Sequence, residues 1–366
     1  MCVASHNFGQ IATHGVNNLS FFSRWSNKVV KGEIITSSQK ERAIVSKEDK
    51  VTAWTNSIDD LIFDESAYST DPSITYDKNK TYVALVVGDG DNILYMKGTR
   101  ADWMREKKDN CIQSSQADTQ RRCFPLSWTI SSHLANIAPD ILRWYVEQAS
   151  TPSNSGGQGV AASMDTFVLP PSGHLYAYPG LMPDDAQDKF IEETEMDAQI
   201  LNISTTVDWE WFTSWSSTEA KFYPKYTKRG IIRGIFTVNV PYVFPTDRFL
   251  PTTFFKVIHP PVGSEGKPVV IFKPREWRGT PEEQKSCKTV TEDYLSPTEL
   301  ADEIGAYPRG TVAYIYLTSD GGLSFNDIAQ LAKIVPDHVN LVNTEMATSL
   351  ALFSHSMHQS SNVQII

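Results

Sequence analysis

The sequence predicts an α/β fold of the (β/α)8 TIM-barrel-like type, a single domain preceded by an irregular N-terminal extension. A strongly apolar β-type run from Tyr82 to Val87 stops at Gly88, and further apolar runs then alternate with helical patterns. A strand that is apolar on both faces is typical of the interior of a parallel sheet. About eight strand and helix steps over roughly 270 residues match the size and rhythm of such a barrel.

The predicted strands are, in chain order, 81–88, 124–130, 165–169, 199–204, 231–238, 268–272, 311–317 and 339–342. Helical patterns follow the first strand up to about Lys107, the second from near His133, the third from about Pro183, and the seventh and eighth strands. The segment 245–266 is rich in proline and lacks a clean helical pattern. An open doubly wound sheet is therefore the alternative architecture.

The chain divides into three predicted parts. Residues 1–80 are polar and irregular and form the N-terminal extension, residues 81–355 form the barrel domain, and residues 356–366 form a polar C-terminal tail.

Composition limits the partners. The chain has 366 residues, 40% of them hydrophobic, which is sufficient for a full core. Lys and Arg number 33 against 43 Asp and Glu, a formal net charge of -10, and no basic stripe is present. We therefore expect no nucleic-acid partner. No apolar run is long enough to cross a bilayer, so we expect no membrane partner, and the oligomeric state stays open.

Cysteines and sequons bear on localisation. None of the four cysteines has the spacing of a zinc site. Cys111 and Cys123 flank a polar loop, and they form either a disulfide that closes this loop or two reduced thiols. The sequons at Asn18 and Asn79 favour secretion, whereas Asn202 falls in a predicted strand and is expected to be hidden. The first ten residues are not a signal peptide. We expect a secreted or extracytoplasmic protein, with a cytosolic one as the alternative.

The end of the first strand is the strongest site candidate. Gly88-Asp89-Gly90-Asp91-Asn92 sets two acids and an amide between flexible glycines where parallel sheets carry chemistry. The plainer interpretation is that Asp91 or Asn92 caps the next helix and Asp89 makes a turn.

Four segments, in this order along the chain, resemble the GxGYxYP family of glycoside hydrolases, specifically its C-terminal domain: GDGDN at 88–92, PLSWTISSHLANIAPDILRWY at 125–145, PSGHLYAYP at 171–179 and YIYLTSDGGLSFNDIAQL at 314–331. The resemblance covers about residues 80–350 and implies a TIM-barrel-like fold and sugar processing. The name motif departs at Leu175, where the family has glycine, and this side chain could close part of a pocket.

Candidate site residues follow the predicted strands. Hydrolysis of a glycosidic bond needs two carboxyl groups, for which we expect Asp89 or Asp91 together with Asp208 or Glu276, each of the latter beside a tryptophan. The candidate substrate-binding residues for a carbohydrate are Asn92, His133, His174, Tyr176, Tyr178, Trp209, Trp277 and Glu345. Further side chains at strand ends are Trp211, Asn239, Tyr242 and Asp320.

No cofactor or metal is expected. Asp89, Asp91 and Asn92 offer hard oxygen ligands for Ca²⁺ or Mg²⁺, but their spacing does not match an EF-hand. A transition-metal site at His133 and His174 is an alternative, although a single histidine at the head of a helix is more often a cap or a wall residue. The sequence has no nucleophile elbow, phosphate-binding P-loop or H-E-x-x-H motif, and the acids disfavour a dinucleotide.

The first hypothesis is therefore a glycoside hydrolase or related carbohydrate-active enzyme with paired carboxylates. The alternatives are a non-catalytic barrel that binds a glycan or another small ligand, and an enzyme of different chemistry on the same scaffold.

Overall fold

In the computed structural model, the described residues are 75–112, 123–149, 165–210, 214–238, 253–279, 294–318 and 322–362. The predicted extension, residues 1–80, lies almost wholly outside them, and the last helix continues past the predicted domain end at residue 355. No helix among these residues combines the length and the apolar character that a membrane crossing requires.

The strands are β1 Thr81–Val87, β2 Ser127–Thr129, β3 Thr166–Val168, β4 Thr205–Trp209, β5 Gly234–Val238, β6 Phe255–Ile258, β7 Val269–Phe272, β8 Glu276–Trp277, β9 Val312–Leu317 and β10 Val339–Val342. The α-helices are α1 Ile93–Lys97, α2 Thr99–Ile112, α3 Leu134–Ile137, α4 Pro139–Ala149, α5 Asp184–Ile200, α6 Trp215–Ser217, α7 Tyr223–Tyr226, α8 Pro297–Gly305, α9 Phe325–Ile334 and α10 Thr344–Asn362. A 3₁₀ turn spans Pro179–Leu181, and a π-helical turn, Thr218–Phe222, joins α6 to α7.

In the part of the chain that the structure describes, the strands form two sheets, and one bridge connects them. The first has the order β3-β2-β1-β9-β8, with β10 also paired to β1, and the second has the order β4-β5-β7-β6. All pairings are parallel except β6 with β7, and the bridge joins Leu169 to Thr206. The fold class is therefore α/β with a mainly parallel sheet.

The predicted closed eight-stranded barrel is not observed, because within the described ranges no pairing connects β6 or β7 to β8. The reason is local. The proline-rich segment supplies an antiparallel edge strand, β6, where a barrel needs a crossover helix and a further parallel strand. Among the described strands, β10 pairs with the first half of β1 alone and does not continue the ring.

Alternation along β1 explains why the strand is apolar throughout. Its seven residues are all buried; Val83, Leu85 and Val87 pack towards the helices, while Tyr82, Ala84 and Val86 face an inner cluster.

The inner cluster lies between the two sheets. The rings of Phe236 on β5 and Tyr314 on β9 meet with centroids 5.1 Å apart, so the sheets face each other. Met346 and Leu350 of α10 belong to the same cluster. The last helix thus fills the space between the sheets.

The fourth predicted strand was wrong in its position. Helix α5 continues to Ile200, Asn202 adopts a positive φ of 49° in the turn, and β4 begins only at Thr205. The apolar residues Ile200, Leu201 and Ile203 resemble a strand, but they form the helix end and the turn. Asn202 is exposed rather than hidden.

The second and third strands are joined through a buried acid. Asp165 accepts hydrogen bonds from the Leu126 backbone N–H (2.8 Å), the Trp128 indole (3.0 Å) and the Lys107 ammonium (2.6 Å). Lys107 belongs to α2, which ends near the disulfide between Cys111 and Cys123. One carboxylate therefore links two strands and a helix.

We expect Asp165→Ala to lower the free energy of unfolding by about 3–5 kcal/mol, because it removes the buried carboxylate partner of Lys107. Asp102→Ala is the control, since its surface pair with Arg105 should contribute at most about 1 kcal/mol. Urea unfolding followed by circular dichroism measures both changes. Equal losses for the two variants would contradict the role of Asp165.

Candidate functional site

The acids after β1 occupy a turn that only glycine permits. A Cβ atom on Gly90 would lie 1.8 Å from the Thr129 carbonyl oxygen at the end of β2. The Gly90 N–H donates to Thr129 Oγ1 (2.9 Å), which in turn donates to the Val87 carbonyl (2.7 Å). The end of β1 is thus pressed against the end of β2, and the acids on either side of Gly90 are fixed in place.

Asp89, Asp91 and Asn92 have different roles in this turn. Asn92 caps α1, since its side chain accepts from the Leu94 N–H (3.0 Å), as the plainer interpretation of the sequence proposed. Asp89 has a φ of 62°, a left-handed conformation that aspartate tolerates better than most residues.

Asp91 is the chemically unusual acid of the pair. It is buried, and burial followed by the charge of Asp89 raises its pKa from 3.8 to about 7, against the opposing charge of Arg100. A carboxyl group with this pKa is largely protonated in mildly acidic solution and can donate a proton near neutrality.

Two aromatic residues lie beside the acids. Tyr176 is partly exposed, but desolvation of its hydroxyl and the charges of Asp91 and Asp89 raise its pKa. The Tyr176 ring meets the Trp209 ring edge to face at 4.9 Å. Ser172 fixes the tyrosine loop, because its Oγ accepts from the Trp209 N–H (2.7 Å) and lies 2.9 Å from the Ala177 carbonyl. Tyr178 lies near both Tyr176 and Glu210: its charge contributes to the raised pKa of Tyr176, and burial and then the charge of Glu210 raise its own pKa.

Sequence reasoning missed Tyr316. Burial and then the charges of Asp89, Asp91 and Glu276 raise the pKa of this phenol, and the Asp89 backbone hydrogen-bonds to its hydroxyl. The period-two pattern Val312, Tyr314, Tyr316 on β9 was the available signal, because it sets a hydroxyl at the carboxyl end of the inner face.

Glu276 and Trp277 point to opposite faces of the first sheet. Glu276 pairs in register with Tyr316, so the carboxylate shares the inner face, where Arg278 (2.7 Å) and Thr318 bind it. Trp277 pairs with Leu317 and is fully buried in the helix-side core, with its indole N–H on the Leu295 carbonyl. The expected stacking of Trp277 on a sugar is therefore wrong.

Asp208 lies on the helix-facing side of the second sheet. The register pairs Val207 with the inner Phe236, so Asp208 points away from the inner cluster, and its carboxylate accepts from the Tyr223 hydroxyl (2.7 Å). Burial and then the charge of Glu210 raise the pKa of Asp208 well above its ordinary value. The structure thus separates Asp208 in orientation from its neighbour Trp209.

Glu345 lies at the other end of the strands. Its carboxylate accepts from the Ser204 N–H (2.7 Å) just before β4 begins, and burial raises its pKa. The expected role of Glu345 in substrate binding is therefore wrong. The reason is that β10 ends in register with Ala84, five positions before Asp89, and α10 then enters the space between the sheets.

The two predicted histidines form a separate cluster. His133 Nε2 lies 2.9 Å from the His174 carbonyl oxygen, and burial lowers the pKa of His133. His174 contacts two carboxylates of α5, through Nδ1 to Asp197 (2.7 Å) and through Nε2 to Glu193 (3.0 Å). This arrangement resembles a ligand set more than a sugar-binding wall.

Of the other candidates, Trp211, Asn239, Tyr242 and Asp320 lie outside the described residues. Leu175, at the position where the family motif has glycine, is buried in the helix-side core and does not line the space above the acids.

The candidate site thus consists of Asp89, Asp91, Tyr176, Trp209, Tyr316 and Glu276. The sequence from residue 79 to 351 matches the family described as GxGYxYP putative glycoside hydrolase C-terminal domain. The chain belongs to this family. The GxGYxYP match spans the acid turn, both histidines and the tyrosine loop, so the whole site lies within the family domain.

Solved structures add a likeness of fold. A putative hydrolase from Bacteroides thetaiotaomicron shares 19% identity with a TM-score of 0.53, and the alignment covers 79% of this chain and 49% of that one. The chain thus spans about half the length of that structure. Two further structures are more distant. A putative polysaccharide deacetylase from Mycobacterium smegmatis shares 11% identity with a TM-score of 0.37, and the alignment covers 79% of this chain and 94% of that one. A probable polysaccharide deacetylase from Pseudomonas aeruginosa shares 10% identity with a TM-score of 0.38, and the alignment covers 79% of this chain and 97% of that one. A comparison with curated proteins finds no match.

Gly90→Ala should lower the free energy of unfolding by about 3 kcal/mol or more, because the added Cβ meets a backbone carbonyl that cannot move aside. Gly305→Ala is the matched control: Gly305 is the last residue of α8, it has no positive φ, and an added Cβ would meet only the Pro336 side chain, at 3.0 Å. Denaturant unfolding compares the two. A Gly90→Ala variant as stable as Gly305→Ala would contradict the close approach.

Asp91→Asn should stabilise the fold at alkaline pH. The carboxyl has a pKa of 3.8 when unfolded and about 7 when folded, so the wild type loses stability as the pH rises through this window and regains none above it. The difference corresponds to at most about 4 kcal/mol. Thermal unfolding at pH 4 and pH 8 measures it. A stability gap between variant and wild type that does not widen towards pH 8 would contradict the burial of an acidic Asp91.

Proposed function

We propose that this domain is a carbohydrate-active hydrolase that cleaves a glycosidic bond, with Asp91 as proton donor. The observation that carries the proposal is the buried Asp91 beside Asp89, whose pKa of about 7 keeps a proton available near neutral pH. A leaving sugar oxygen needs such a proton at the moment the bond breaks.

The second carboxyl group is Glu276. It shares the inner face with Tyr316, whose pKa responds both to Glu276 and to the acid pair, so all three acids act on one phenol. Arg278 balances the Glu276 charge and favours the ionised carboxylate that a nucleophile or a base requires. Asp208 is less suited, since it faces the helices and its carboxylate already accepts from Tyr223.

The substrate class follows from the surroundings of the acids. Tyr176 is 41% exposed and stands edge to face with the half-buried Trp209, so aromatic surface borders the acid turn. Flat aromatic faces pack against the apolar faces of sugar rings, and acids accept hydrogen bonds from sugar hydroxyls. An acidic site of this kind disfavours anionic ligands such as nucleotides.

A non-catalytic glycan-binding domain is the second candidate. The observation that favours it is the engagement of Glu276 by both Arg278 and Thr318, which also suits a carboxylate that only maintains the shape of the inner face.

Kinetics on a panel of oligosaccharides and aryl glycosides test the proposal. Asp91→Asn should lower kcat by about 10²- to 10⁴-fold because general acid catalysis is lost, and Glu276→Gln should act similarly. In the wild type, activity should fall as the pH rises above about 7, when Asp91 loses its proton. The matched control is Asp102→Asn, an exposed aspartate on α2, which should leave turnover unchanged.

Binding of the same panel by calorimetry separates the two candidates. Sugar binding without hydrolysis by the wild type would favour the binding domain, whereas undiminished turnover by Asp91→Asn would overturn the catalytic assignment.

A further inference from the structure

We propose that His133, His174 and Asp197 bind a divalent transition-metal ion, a site separate from the acids to which the proposed hydrolysis is assigned. Each residue can offer one ligand atom, and these three atoms lie within 4.8 Å of one another. Two imidazole nitrogens and one carboxylate oxygen suit an ion such as Zn²⁺, which commonly takes three protein ligands and keeps a fourth position for water.

The His133 ring is held in the form that an ion requires. Its Nε2 lies 2.9 Å from the His174 carbonyl oxygen, and a carbonyl can only accept, so Nε2 carries the hydrogen. In the neutral imidazole, Nδ1 then has the lone pair that can bind a metal.

The His174 ring has the contacts expected of a metal ligand with a supporting carboxylate. Asp197 lies 2.7 Å from Nδ1, and Glu193 lies 3.0 Å from Nε2. A ligating histidine usually gives its other ring nitrogen to a carboxylate, which orients the ring and raises its basicity. In this scheme Asp197 binds the ion and Glu193 holds the ring from the other side.

The position of the cluster gives the ion a structural role. His133 precedes α3, Asp197 lies on α5, and His174 lies in the loop after β3, two residues before Tyr176. An ion at this point would tie the three segments together and so fix the loop that places Tyr176 beside the acid turn. The ion would therefore act by positioning the loop.

A proton is the competing occupant. An imidazolium at His174 between Asp197 and Glu193 would make the same two contacts without any metal. The two cases differ at His133: a proton on His174 requires nothing from the His133 ring, whereas the ion takes a nitrogen of His133 as a ligand.

Calorimetric titration with ZnCl₂ alone, on the metal-stripped full chain, tests the proposal. We expect one site per chain that His133→Ala and Asp197→Asn each weaken by about 100-fold or more. The control is His259→Ala, because the exposed pair His259 and His355, with Nε2 atoms 3.0 Å apart, is a second place where zinc could adhere. This control should retain the site. Saturating Zn²⁺ should also raise the Tm of the wild type by a few degrees and leave that of His133→Ala unchanged.

Zinc binding that is lost in His259→Ala and retained in His133→Ala would overturn the assignment. So would an absence of zinc binding by the wild type. If His133→Ala does not fold, as judged by circular dichroism, Co²⁺ absorption of the wild type and of Asp197→Asn gives the same decision, since histidine and carboxylate ligands produce visible d–d bands. The readouts are binding and stability, so failure of the hydrolase proposal would not affect them.

Discussion

The close approach of Gly90 to the Thr129 carbonyl is the constraint on which the site depends. Because no side chain separates the two strand ends, hydrogen bonds through Thr129 Oγ1 connect the acid turn directly to β1 and β2. Arg100 also contacts this carbonyl: it is fully buried, donates to the Thr129 carbonyl (2.6 Å) and lies over the Trp128 and Tyr145 rings. The turn thus holds Asp91 in a buried position, where the charge of Arg100 opposes the rise in pKa that burial and Asp89 cause.

Strand parity decides which polar residues reach the inner face. Neighbours in a strand point to opposite sides, so register alone directs Glu276 inward and Trp277 into the helix-side core. The same rule directs Asp208 towards the helices and Trp209 towards Tyr176. Two adjacent residues that look equivalent in the sequence therefore have different environments, one on the helix-facing side of a sheet and one on its inner face.

The last helix takes the place of barrel closure. In a closed barrel, side chains from all strands fill the interior, whereas here α10 supplies Met346 and Leu350 to the inner cluster between the two sheets. This arrangement buries the inner faces without a continuous ring of strands. It also explains why Glu345, after β10, lies at the amino end of β4 and not at the acid turn.

The sequence by itself determined the local features: the buried β1, the alternation of strands and helices, the acid turn between glycines, the helix cap at Asn92 and the family. These depend on short-range patterns, such as residue periodicity and turn chemistry, that a single chain displays. Only the tertiary structure decided the openness of the sheets, the inward direction of Glu276, the entry of Tyr316 into the site and the meeting of His133, His174 and Asp197. Each of these depends on register and on contacts between distant segments, and no local pattern specifies which distant strands and helices will meet.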